Sequence, residues 1–176
     1  MNATKKLTIS AVFLAIGLIL PFFTGQIQDI GNKLLPMHIP ILLCGVVCGW
    51  KYGLLVGFVT PLLRSLLFTM PSFPKAIGMA FELAAYGAVI GIMYCKLHKS
   101  RWRIYISLVS AMFVGRIVWG IANLIIYGLQ HSSFTWQLFI GGALLNAIPG
   151  IVLQLILIPI LLLAIAESIS EFRYCS

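Results

Sequence analysis

Residues 7–24 read LTISAVFLAIGLILPFFT, a run without a single charged side chain. At 1.5 Å per residue it approaches the ~20 residues that a ~30 Å hydrocarbon core requires, so it reads as a helix crossing a membrane. The basic lead before it, with Lys5 and Lys6, has the look of a signal peptide. No clear small-residue cleavage site follows, and the stretch is taken as the first helix of the bundle. Working outward, further apolar stretches run over 36–50, 52–70, 75–95, 104–129 and 136–166. The expectation is an all-α membrane protein, a bundle of six transmembrane helices in one domain spanning 1–176. Composition agrees: 61 % of residues are hydrophobic and 9 % charged, far from the roughly 45–50 % and 25 % of a soluble domain.

The breaks between these stretches organise the chain. Gly25 to Lys33 interrupts the pattern with glycine and polar residues, long enough to fold over a site as a lid. Pro36 and Pro40 make the start of the second stretch irregular, although it is still expected to cross. Lys51 alone separates the second stretch from the third, which makes those helices antiparallel neighbours. Glycines 45, 49, 53 and 57 flank that turn at intervals of four and would let the helix backbones approach closely.

A net charge of +8 raises the question of nucleic acid, but the basic residues sit in short clusters between apolar stretches, where topology explains them. With the N-terminus inside, Lys5, Lys6, Lys51, Lys96, Lys99, Arg101, Arg103 and Arg173 lie on the inner side against Lys33 and Lys75 outside. Both termini are therefore expected in the cytoplasm, with the segments 25–35, 71–74 and 130–135 facing outward. Cys44 and Cys48 stand one turn apart among Met and aliphatic neighbours, which is no basis for a metal site.

A charge within the bilayer costs roughly 2.5–3.5 kcal/mol even on a lenient insertion scale, so intramembrane charges are functional candidates. Arg64, Glu82 and Arg116 qualify. Counting from the expected helix ends puts Arg64 ~9 Å and Glu82 ~10 Å deep, at similar height, with Arg116 nearer the middle. Asn123 and Asn146 fall in the outer halves of the fifth and sixth helices, and His38 at the outer mouth of the second. This distribution suits an outward-facing pocket for a small polar solute, with Phe22, Phe81, Tyr86, Trp119 and Trp136 available for apolar contact. Two structural alternatives stay open: Arg64 and Glu82 neutralising each other between helices, and the asparagines acting as interhelical hydrogen-bond glue. Arg116 has no second intramembrane acid to pair with, and an anionic ligand group would satisfy two arginines facing one glutamate. The chain has no HExxH, GxSxG or phosphate-cradling glycine loop, so neither hydrolysis nor ATP binding has visible machinery, and energy for transport would come from another chain.

Several local patterns together resemble the S components of energy-coupling factor (ECF) transporters. They are Ala11-x-x-x-Ala15 in the first helix, Leu35-Pro36-Met37-His38-Ile39-Pro40 before the second, the turn Gly49-Trp50-Lys51-Tyr52-Gly53, and Asn146-Ala147-Ile148-Pro149-Gly150 in the last. The resemblance implies a substrate-binding membrane subunit of a bacterial cell membrane, taking up a water-soluble vitamin. Such a subunit docks through Ala11 and Ala15 on a transmembrane scaffold protein with two ATPase subunits. It binds no cofactor of its own, the ATP being used by those partners. The segment 32–43 looks most like the pantothenate-type branch. Substrate-contact candidates are His38, Arg64, Glu82, Arg116, Trp119, Asn123 and Asn146. The competing classes are a stand-alone secondary transporter or channel, which would carry inverted repeats in a larger chain, and an intramembrane enzyme using Glu82 and His38 as acid and base.

Overall fold

The computed structural model describes residues 2–24, 35–98, 102–129 and 148–168, and these are helical nearly throughout. The elements are α1 (Ala3–Ile19), continued by a 3₁₀ turn over Leu20–Thr24, then α2 (His38–Cys48), α3 (Trp50–Phe68), α4 (Phe73–Lys96), α5 (Arg103–Leu129) and α6 (Ile148–Ser168). Among the described residues, five stretches are long and apolar enough to span a membrane: Ala3–Phe23, Trp50–Phe68, Phe73–Lys96, Arg103–Gly128 and Ile148–Ile165.

The second helix departs from expectation. α2 has 11 residues, about 16 Å of helix, too little for a bilayer core. Its sequence, HIPILLCGVVC, is apolar on every side, and every one of its residues is buried. A helix apolar all round belongs inside protein. α2 accordingly packs against α1, α3, α4 and α6 as the central element of the bundle. Because it is short, its first residue, His38, lies inside the helix bundle with its side chain sealed from solvent.

Contacts at small residues set the register. Ser10 faces Cys44 and Gly17 faces Pro40, so α1 and α2 run antiparallel. Gly45 and Gly53 touch across the α2–α3 turn, Gly53 faces Gly87 and Gly57 faces Leu83 across α3–α4, and Gly91 meets the backbone of Trp50. These are backbone-to-backbone approaches: a Cβ at Gly53 would stand 2.7 Å from the Gly87 carbonyl oxygen, and one at Gly45 2.5 Å from the same atom. Gly49 does something different. It turns the chain between α2 and α3 at φ +96°, a conformation that favours glycine, and has nothing within 4 Å of where a Cβ would stand. On the far side of α4, Gly78 meets Asn123 and Gly115 receives the ring of Tyr86, so α4 and α5 are antiparallel. The connection between them is stapled by Arg103, whose Nε donates to the Tyr94 carbonyl and whose guanidinium stacks 3.9 Å from the Tyr94 ring centroid.

Trp136, Asn146, the segment 25–34 expected to act as a lid, and the first part of the expected sixth helix lie outside the described residues.

Candidate functional site

Glu82, on the buried face of α4, is 2 % exposed. Arg116 reaches it from α5, Nη1 lying 2.9 Å from Oε1, and His38 at the start of α2 brings Nε2 to 3.5 Å from the same oxygen. The Arg116 approach is an ion pair off hydrogen-bond alignment, since Oε1 has no aligned donor. Tyr86, one turn from Glu82, closes the group with its ring edge-on to His38 at 5.0 Å between centroids. Three helices thus converge on one carboxylate. Each can do so for a local reason: α2 begins in mid-bundle, Gly115 leaves room for the Tyr86 ring, and the glycine packing of α3 on α4 turns Glu82 away from α3.

The expected neighbourhood of Arg64 and Glu82 is therefore corrected. With Gly57 facing Leu83 and Gly53 facing Gly87, Arg64 lies level with residue 76, six residues or about 9 Å from the level of Glu82. Arg116, for which sequence offered no acid, is the ion partner of Glu82. Arg64 is also buried, and its Nη1 donates to the Leu18 carbonyl near the end of α1. Its guanidinium lies 4.9 Å from the ring centroid of Phe22 and 5.6 Å from that of Phe68, which pack edge to face. A cation at a helix C-terminus complements the helix dipole, and two aromatic faces hold it in place. Arg64→Met is expected to lower stability by about 1–3 kcal/mol through loosening of this end of α1, read as earlier thermal unfolding in detergent.

The remaining candidates divide. Trp119 is half-buried one turn along α5 from Arg116. Asn123 is buried against Gly78, but its Nδ2 donates at 2.8 Å to the Trp119 carbonyl of its own helix, so this bond is intrahelical rather than a bridge between helices. Phe81 is largely exposed and packs edge-on to Phe58, and Phe22 belongs to the Arg64 clamp; of the expected apolar wall, Tyr86 joins the Glu82 group. On α1, Ala11 and Ala15 are exposed, whereas Ser10 and Gly17 turn inward against Cys44 and Thr60.

Sequence reasoning passed over Gln154. It is 1 % exposed on α6 and shares an inward stripe with Ile158 and Leu162. A lone carboxamide within the apolar run 151–165 was the available signal. Fourteen residues separate it from the end of α6, fourteen separate Glu82 from the end of α4, and thirteen separate Arg116 from the start of α5. By the helical rise, each stands about 20 Å from that end of its own helix.

Among the described residues, several buried polar atoms have no hydrogen-bond partner: both ring nitrogens of His38, Oε1 of Glu82, Nε and Nη2 of Arg116, and Nε2 of Gln154. Each such atom costs on the order of 1–3 kcal/mol, and they gather on the inward faces of four helices. Among the same residues no cluster of three or more His, Cys, Asp or Glu side chains is arranged to hold a metal.

Residues 5–162 match the family described as ECF transporter, substrate-specific component. The chain is also similar to the pantothenic acid transporter PanT of Lactococcus lactis subsp. cremoris (strain MG1363), 24 % identical over 134 residues. That alignment covers 74 % of the present chain and 62 % of PanT, so the chain matches less than two thirds of that relative's length. No solved structure matches. A match over nearly the whole helical bundle, in a multi-pass membrane chain, places this protein in the family of substrate-specific components of ECF transporters.

Proposed function

We propose that the chain captures a small water-soluble vitamin, pantothenate first among the candidates, for uptake across a bacterial cell membrane. The observation that carries this reading is the group of partnerless buried polar atoms around Glu82, in a chain whose family supplies substrate-specific components. Unpaired polar groups inside a membrane bundle are expensive unless something else completes them, and a polar solute does so. The similarity to PanT favours pantothenate.

In this reading both termini are cytoplasmic, the start of α2 faces outward, and His38, Glu82, Arg116 and Trp119 contact the ligand. Asn123 remains a candidate in the outer part of the same pocket, and Asn146 remains a candidate from the sequence. Arg64 supports the site by fixing the end of α1 rather than by touching ligand. A transmembrane scaffold subunit and two ATPases supply the driving force, and the exposed Ala11 and Ala15 on α1 form the docking face. Small side chains there allow close helix approach.

Two measurements test the reading. Purified protein in detergent should bind one vitamin of a water-soluble panel by calorimetry; a folded protein that binds none would refute it. Ala15→Trp should leave that affinity unchanged while reducing uptake at least about tenfold in cells that carry the energising module, because the bulk obstructs helix packing without reaching the pocket. Uptake at the unsubstituted rate would remove Ala15 from the docking face.

A further inference from the structure

The partnerless atoms have a chemical sign. Arg116 spends Nη1 on Glu82 and leaves Nε and Nη2 buried and unbonded. Those two nitrogens form one edge of the guanidinium, where parallel N–H groups match both oxygens of a carboxylate. Gln154 Nε2 is a further open donor, and His38 offers a ring N–H whichever tautomer it holds. Against these donors stand two open acceptors, the second ring nitrogen of His38 and Glu82 Oε1, the latter already beside Arg116 and His38. The group is thus rich in donors and short of acceptors. The N-terminus of α2, which opens at His38, adds the positive end of a helix dipole.

We propose that the ligand carries a carboxylate held side-on by the Nε–Nη2 edge of Arg116, with Glu82 bracing the opposite side of the guanidinium and Gln154 donating a further hydrogen bond to the ligand. This deepens the capture reading above and rests on it. A monoanion fits better than a phosphate monoester: Glu82 and Arg116 already cancel, and a dianion would leave two negative charges beside a buried carboxylate. Gln154 enters the site as a contact that neither the family match nor the similarity to PanT names.

The test compares acids with their neutral counterparts by calorimetry on the purified full chain: pantothenate against pantothenol, nicotinate against nicotinamide, and biotin against its amide, alongside thiamine, riboflavin and pyridoxine. The acid of one pair should bind about 100-fold more tightly than its neutral form. Arg116→Lys keeps a cation for Glu82 but loses the fork. It should weaken the acid by about 30-fold and the neutral form by much less. Gln154→Leu places an apolar side chain in an apolar interior, folds, and should weaken the acid about tenfold. Equal binding of acid and neutral form, or tight binding only of a vitamin without an acid group, overturns the carboxylate proposal and leaves the capture reading standing. An acid affinity unchanged in Arg116→Lys or in Gln154→Leu overturns the role given to that residue. If no vitamin binds to protein shown folded by its thermal transition, both fall.

Discussion

Glu82→Ala is expected to lower stability by about 3–5 kcal/mol and to abolish ligand binding. The carboxylate is 2 % exposed and lies 2.9 Å from Arg116 Nη1. Without it, a guanidinium whose Nε and Nη2 are already unbonded loses its counter-charge in a low-dielectric interior. Thermal unfolding of the detergent-solubilised protein measures the effect. The sharper form is a double-mutant cycle, because removing both charges should cost far less than removing either. Glu82→Gln with Arg116→Met should therefore recover most of the stability lost in either single variant, while binding stays absent. Additive losses would mean that the two side chains do not act as a pair.

Gly87→Ala is expected to be the most damaging single methyl group in the bundle. A Cβ there runs into the Gly53 carbonyl, while Gly45 and Gly53 both lie against the Gly87 carbonyl. Backbone cannot rotate aside as a side chain can, so α3 and α4 would have to separate along their shared face. Overpacking typically costs about 1–3 kcal/mol, and a clash with rigid backbone belongs at or above the upper end. Separation would also move Glu82, so binding should weaken along with stability. Gly128→Ala is the control. Nothing lies within 4 Å of its Cβ position, and alanine favours helix by roughly 1 kcal/mol, so stability should hold or rise slightly. Equal behaviour of the two variants in thermal unfolding would show that the α3–α4 face is not close-packed at glycine.

Much of this architecture was legible before any coordinates. The long apolar runs imply helices because hydrocarbon offers no partner to backbone N–H and C=O groups, which a helix satisfies internally. The same argument marked Glu82 and Arg116, since an intramembrane charge is costly wherever it sits. It misjudged the length of α2, where apolar character along 36–50 was read as a helix long enough to span the bilayer by itself. Hydropathy measures the medium a segment prefers, and the inside of a bundle and the inside of a bilayer are nearly the same medium. Length separates the two: the helix itself has 11 residues, shorter than a bilayer core, and is buried throughout.

The site divides along the same line. Sequence alone marked the residues able to take part, because burial energies of polar groups depend on residue type and on the apolar run around them. It had no means of pairing them. Partnership depends on how far one helix slides and turns against another, at 1.5 Å and 100° per residue, and an error of a few residues in a helix end was enough to place Arg64 beside Glu82. Tertiary structure settled that register through contacts distant in sequence, Gly53 on Gly87, Gly57 on Leu83 and Gly115 on Tyr86. Those contacts left Arg64 clamping the end of α1, gave Glu82 to Arg116 and His38, and turned Gln154 inward.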